Sequence, residues 1–121
     1  MLECLLVGIG GFIGSVLRYL IGLLPMKPDN QFPEKTLFIN IFGAFIISII
    51  VAMAAKNKSL NSNLILMLKV GVCGGFTTFS TFASETVELI QSGNVMVAVS
   101  YAVLSVVLSV LAIYFAQMII N

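Results

Sequence analysis

The chain has 121 residues, of which 60% are hydrophobic and only 9% charged, with a net charge of +1 and a mean hydropathy of +1.12. Soluble domains carry about 25% charged residues, so this composition excludes a water-soluble globule. The near-neutral balance gives no electrostatic footing for nucleic acid, and a chain without histidine lacks the usual near-neutral acid–base group and the commonest metal ligand.

A helix crosses the hydrocarbon layer with about 20 apolar residues. Four stretches reach that length, at roughly 4–24, 36–55, 63–90 and 95–120. They predict an all-α membrane protein with four transmembrane helices in a single domain. The connections carry turn chemistry: Pro25, Pro28, Asp29, Asn30 and Pro33 in the first, Lys56 to Asn63 in the second, Gln91 to Asn94 in the third. No cleavable leader is expected, because the apolar run starts almost at Met1 without a basic lead-in and is long enough to span. Cys4 and Cys73 are expected to be reduced packing residues.

The first span carries Gly8, Gly10, Gly11, Gly14 and Ser15. The run superficially resembles a dinucleotide-binding loop, but Ile13 stands where the third glycine belongs and no strand precedes it. Gly10 with Gly14, and Gly11 with Ser15, form small-xxx-small pairs that predict close helix packing. Arg18 lies near the far end of this span. A charge at that depth snorkels to the interface, or serves as a structural or vestibule charge that attracts an anion. Tyr19 beside it suits an interfacial position.

In the second span Asn40 sits one turn in from the interface. An intramembrane asparagine is interhelical glue or a donor to an anion. Gly43, three residues on, strips bulk from the same face.

The third span behaves differently from the others. Gly74 and Gly75 are followed by Thr77 and Thr78, and both pairs are weak helix formers. They predict a broken helix whose freed carbonyls must meet protein, water or an ion. Phe79 and Phe82 then share one helical face, with the hydroxyls of Ser80 and Thr81 between them. Glu85 and Glu88 are expected at the interface. In the fourth span Tyr101, Ser105 and Ser109 recur at i, i+4, i+8. Either each hydroxyl bonds back to its own helix or the three form one wall of a polar path.

Basic residues divide evenly between the two membrane faces. Lys56, Lys58 and Lys69 belong with the termini; Arg18, Lys27 and Lys35 belong to the other side. Orientation follows an excess of Lys and Arg in cytoplasmic loops. Without one, the chain predicts dual topology, with inverted copies pairing as an antiparallel dimer; a weak bias hidden by one misassigned lysine is the plainer alternative. A four-helix unit is also too thin to enclose a pore. Two inverted copies would bring the middles of their third helices together.

Hydroxyls, one amide and aromatic ring edges are the groups this chain offers in mid-membrane, and ring edges carry positive partial charge. No mid-span carboxylate is present to hold a cation or relay a proton. That selects a small anion hungry for hydrogen bonds. An enzyme is disfavoured, since no nucleophile–base pair or metal-ligand cluster is visible. A small dual-topology multidrug exporter, a proton-coupled carrier, needs a carboxylate midway along its first helix, where this chain has only Glu3 at the start. A structural subunit without transport of its own would need no polar track beside a helix break.

The stretches Gly10 to Tyr19, Thr36 with Asn40 to Gly43, Gly74 to Phe82 running on to Glu85, and Tyr101, Ser105 and Ser109 together resemble the Fluc/CrcB family of small fluoride channels. The resemblance covers essentially the whole chain, and the third-span stretch is its most specific part. It implies a fluoride-selective channel for passive efflux and fluoride resistance, built as a dual-topology homodimer in the bacterial inner membrane. It implies a structural sodium ion held at the dimer interface by the main-chain carbonyls of Gly74 and Thr77. The fluoride pathway it implies runs past Asn40, Phe79, Ser80, Thr81, Phe82, Tyr101, Ser105 and Ser109. Fluoride that enters as the neutral weak acid and dissociates in the cytoplasm would leave by this route.

Overall fold

The structure, a computed structural model, describes residues 1–25 and 31–121. The expectations placed on Lys27, Pro28, Asp29 and Asn30 lie outside the described residues. Helix α1 is Leu2–Gly22 and α2 is Glu34–Lys56. The third span, Ser62–Gln91, is interrupted. Its first half, α3, runs over 62–76: an α-helical start at Ser62–Leu66, π-helical turns through Met67–Cys73, and a last α-turn at Gly74–Phe76. Its second half is α4, Phe79–Gln91, and the final helix is α5, Val95–Ile120. At about 1.5 Å per residue, α1, α2, α5 and the interrupted span are each long enough to cross the hydrocarbon.

Local chemistry sets the ends. Pro33 stands at the N-cap of α2, where its missing N–H costs nothing. The Asn61 side chain caps α3 by accepting from the Asn63 and Leu64 amides. At the end of α4, Gly93 takes φ +88°, the left-handed conformation that lets Gly93 N–H reach Ile90 and Asn94 N–H reach Leu89. Two lysines close other C-termini: Lys35 Nζ donates to the Gly22 carbonyl at 2.7 Å, and Lys56 Nζ to the Ile120 carbonyl at 2.8 Å. Each places a cation at the negative end of a helix.

Two close pairings build the bundle: α1 runs parallel to α3, and α2 parallel to α5. The first pairing depends on absent side chains. A Cβ added at Gly10 would lie 2.5 Å from the Met67 carbonyl, and one at Gly14 would strike the Val72 carbonyl and stand 2.8 Å from Phe76 N. On the facing helix, a Cβ at Gly71 would lie 2.8 Å from Gly10 Cα, and one at Gly75 would lie 2.6 Å from the Gly11 carbonyl. Backbones therefore touch, which is how membrane helices gain dispersion energy without a hydrophobic driving force. The α2–α5 pairing uses Phe45 against Phe115, and Ser48 Oγ donating to the Ile113 carbonyl at 3.1 Å.

The buried core is small: Leu89, Ala98 and Tyr101 cluster beneath Phe32, Leu37, Phe82 and Val97. Large apolar side chains such as Phe12, Leu111, Phe115 and Met118 point outward, as a lipid-facing surface requires.

Gly14→Val should prevent formation of a stable bundle, since overpacking against backbone costs about 1–3 kcal/mol or more. Gly8→Ala, at a glycine with nothing within 4 Å of the added atom, should be silent. Size-exclusion profiles of the two purified variants check this contrast.

Candidate functional site

The interruption lies at the threonines, not the glycines. Thr77 has φ −83°, ψ 158°, and Thr78 has φ −150°, ψ 120°, so two consecutive residues are extended in mid-span. Gly74 and Gly75 stay helical, and Gly75 serves the contact with α1.

An extended pair inside a helix misdirects several backbone groups, and some of them find substitutes on neighbouring side chains. In a continuous helix Thr78 N–H would bond the Gly74 carbonyl. Here it donates to Asn40 Oδ1 at 2.9 Å, while Asn40 Nδ2 donates to the Thr78 carbonyl at 3.0 Å. One amide side chain from α2 thus pairs with both backbone groups of Thr78, as a neighbouring strand would. Thr81 N–H would bond the Thr77 carbonyl. It donates instead to Thr78 Oγ1 at 3.2 Å, the N-cap of α4. The Gly75 carbonyl accepts from Arg18 Nε at 3.1 Å. Arg18 is therefore a structural cap on the break, reached from α1. Thr77 turns its hydroxyl back to the Cys73 carbonyl at 2.9 Å, and its methyl seats against Gly43 of α2, where a Cβ would collide with it.

Among the carbonyls that the break parts from their helical donors are Gly74, whose donor has gone to Asn40, and Thr77, whose donor has gone to the Thr78 hydroxyl. They sit at the C-terminal, negative end of α3.

A groove of about 420 Å³ opens beside the break. Seven of the residues assigned to the fluoride pathway or the cation site line it: Asn40, Gly74, Thr77, Phe79, Phe82, Ser105 and Ser109. Its other lining residues are Gly43, Ala44, Ile47, Cys73, Thr78, Val106 and Val110, so among the described residues no Asp, Glu, Lys or Arg lines it. The Phe79 and Phe82 rings lie 5.7 Å apart, tilted by 47°, with Phe79 79% exposed. Ser105 is only 8% exposed and its Oγ has no hydrogen-bond partner among the described residues. Thr77 and Thr86 do bond back to their own helices, at the Cys73 and Phe82 carbonyls. Ser105 does not, which favours the polar-wall reading of α5 at that position.

The remaining predicted residues lie around this groove. Tyr101 is fully buried in the core, against Phe82 at 5.1 Å between ring centroids, and its hydroxyl donates to Glu85 Oε1 at 2.8 Å. Ser80 is exposed, with its hydroxyl 3.4 Å from Thr78 Oγ1. Thr81 accepts from Thr78 Oγ1 at 3.1 Å and lines a neighbouring pocket of about 330 Å³ with Arg18, Tyr19, Lys35, Thr36 and Glu85. Thr78 lines both spaces and so forms the wall between them.

Sequence reasoning left Glu85 as an ordinary interfacial acid. Its carboxylate is held from two helices, by the Thr36 hydroxyl at 3.0 Å and by the Tyr101 phenol. A carboxylate two turns into a span, facing a tyrosine on the next helix, is the signal that could have found it.

A family model described as "CrcB-like protein, Camphor Resistance (CrcB)" matches residues 5–117. A chain from Clostridium perfringens is 38% identical over 118 residues, covering 97% of this chain and 92% of the relative. One from Clostridium novyi is 41% identical over 118 residues with the same coverage, 97% and 92%. One from Granulibacter bethesdensis is 44% identical over 117 residues, 96% of this chain and 92% of the relative. All three carry the name "Fluoride-specific ion channel FluC".

An unpartnered buried hydroxyl costs desolvation energy and returns no hydrogen bond. Ser105→Ala should therefore leave thermal stability unchanged or raise it by up to about 1 kcal/mol. A melting curve of the purified variant beside the parent reads this directly.

Proposed function

The chain belongs to the CrcB-like protein family, and we propose on that premise that it is a fluoride channel, a multi-pass protein of the bacterial cell membrane that lets F⁻ leave the cell down its gradient. The observation that carries this reading is the Ser105 hydroxyl, buried and, among the described residues, unpartnered in a groove edged by Phe79 and Phe82 and lined by no ionised side chain. A hydroxyl in that position is a donor in waiting. Ring edges add positive partial charge, and the N-terminal end of α4 adds the positive end of a helix. No lining carboxylate competes for these donors or offers a proton relay. Fluoride, small and a strong acceptor, gains most from fixed donors that replace its water, provided that binding stays weak enough for release. Chloride is larger and accepts hydrogen bonds less strongly. We assign Asn40, Phe79, Phe82, Ser105 and Ser109 to the path, with Ser80, Thr81 and Tyr101 beside it.

The proton-coupled exporter has no support. Its mechanism needs a carboxylate within the first helix, and Glu3 is an exposed partner of the N-terminal amine at the helix start.

The Gly74 and Thr77 carbonyls fit a structural Na⁺. They are hard oxygen donors released from helical bonding at the C-terminal end of a half-helix, the arrangement by which interrupted membrane helices hold Na⁺. Among the described residues no His, Cys, Asp or Glu cluster competes for a metal. Two carbonyls are too few for one cation, and Gly74 is exposed. An inverted second copy would bring two more to the same point. The even division of basic residues supports that inverted pairing.

Liposomes loaded with potassium fluoride and containing the purified protein should release fluoride when a K⁺ ionophore is added to balance the charge, whereas liposomes loaded with potassium chloride should retain chloride. Phe79→Ile, Phe82→Ile and Ser109→Ala should each slow fluoride release by about tenfold or more while the protein still assembles. Parental release from all three would remove the rings and the hydroxyl from the path, and absence of fluoride release from the parent would overturn the function.

For topology, a C-terminal tag should be accessible from both sides of the membrane in one population of cells. Labelling from one side alone would exclude inverted pairing.

A further inference from the structure

Two carbonyls are free at the break because two side chains have taken their donors. Asn40 Oδ1 accepts from Thr78 N–H, which would otherwise bond Gly74. Thr78 Oγ1 accepts from Thr81 N–H, which would otherwise bond Thr77. We propose that Asn40 and Thr78 are positioning residues for the cation site, each holding one carbonyl open by diverting its helical donor. This rests on the Na⁺ reading given above.

The energetics are those of a competition between two acceptors for one N–H. A side-chain acceptor and a helical carbonyl are of similar strength, so the outcome turns on which oxygen is present and where. With Asn40 Oδ1 removed, the acceptor that a continuous helix would offer Thr78 N–H is the Gly74 carbonyl one turn back. The helix then gains a residue and the cation loses a ligand. With Thr78 Oγ1 removed, the same exchange returns Thr81 N–H to Thr77. Two further contacts restrict relaxation elsewhere. Gly43 leaves room for Thr77 and no more, and Arg18 holds the Gly75 carbonyl aside, so that carbonyl cannot substitute as a ligand.

The arrangement has a consequence for the anion path as well. Asn40 and Thr78 both line the groove. The residues that keep the cation site open thus belong to the wall that fluoride passes, and a fault in one site should be read out at the other.

The test measures thermal unfolding of the full-length protein in detergent across a series of NaCl concentrations, with choline chloride keeping ionic strength constant. Near-isosteric variants are Asn40→Leu and Thr78→Val, with Thr78→Ser as the conservative control that keeps the hydroxyl acceptor. The parent should be stabilised by Na⁺ with a defined half-saturating concentration. Asn40→Leu and Thr78→Val should raise that concentration by about tenfold, the equivalent of about 1.4 kcal/mol, and regain stability at high NaCl. Thr78→Ser should stay within about twofold of the parent.

Parental half-saturation in both apolar variants, even with fluoride release lost, would overturn the positioning role and leave both residues as anion contacts. A variant that no NaCl concentration restores would also overturn it, because the defect would not then lie in Na⁺ affinity. A parent indifferent to Na⁺ would remove the cation reading itself, and this inference with it. The parent series thus separates failure of the premise from failure of the inference.

Discussion

Inside a bilayer a backbone amide has no water to fall back on, and the architecture of this chain follows from how it repays that demand at Thr77 and Thr78. Two extended residues displace a set of hydrogen bonds that a helix would satisfy by itself. Asn40 supplies a donor and an acceptor from α2, Arg18 supplies a donor from α1, and Thr78 caps the helix it begins. Three helices therefore converge on one point. The break holds them together as much as they hold it open.

That convergence needs close approach, which the glycines provide. Gly10, Gly14, Gly71 and Gly75 bring α1 and α3 into backbone contact, and Gly43 lets α2 take the methyl of Thr77. Without the first set Arg18 would stand too far away to reach the Gly75 carbonyl. Without the second, Asn40 would stand off from Thr78. The packing residues and the polar residues act as one device: small side chains set the spacing at which long ones make directed bonds.

Much of this was legible in the sequence. The four spans, the Gly10/Gly14 pair, the interruption and the groove-lining hydroxyls follow from hydropathy, spacing and helix propensity; the Gly11/Ser15 pair does not pack as its spacing predicts, since an added Cβ at Gly11 meets nothing within 4 Å and Ser15 Oγ bonds back to the Phe12 carbonyl. The position of the break was not, because weak helix formers came in two adjacent pairs. Gly75 stays helical with the backbone of Gly11 filling the space its side chain leaves. The threonines, which can satisfy displaced backbone with their own oxygens, became the residues that unwind. Asn40 was expected as glue or as an anion donor. Its backbone partner lies 38 residues away, and no local pattern reveals such a pairing. The hydroxyls of α5 were read as equivalent from their spacing alone. Tyr101 is long enough to reach Glu85 on α4, whereas Ser105 is too short to leave the groove.

The π-helical turns of Met67–Cys73 were invisible beforehand, since nothing in Met-Leu-Lys-Val-Gly-Val-Cys marks them. Each wide turn holds more residues than an α-turn and so delays the azimuth of everything that follows. Gly71 and Gly75 meet α1 and Thr77 meets α2 at that delayed phase. The segment is a rotational offset written into the backbone, and its length matters more than its side chains. Substitution there is a matter of fit, whereas loss of a single residue would turn the threonines toward a different neighbour and leave Asn40 facing the wrong side of the helix.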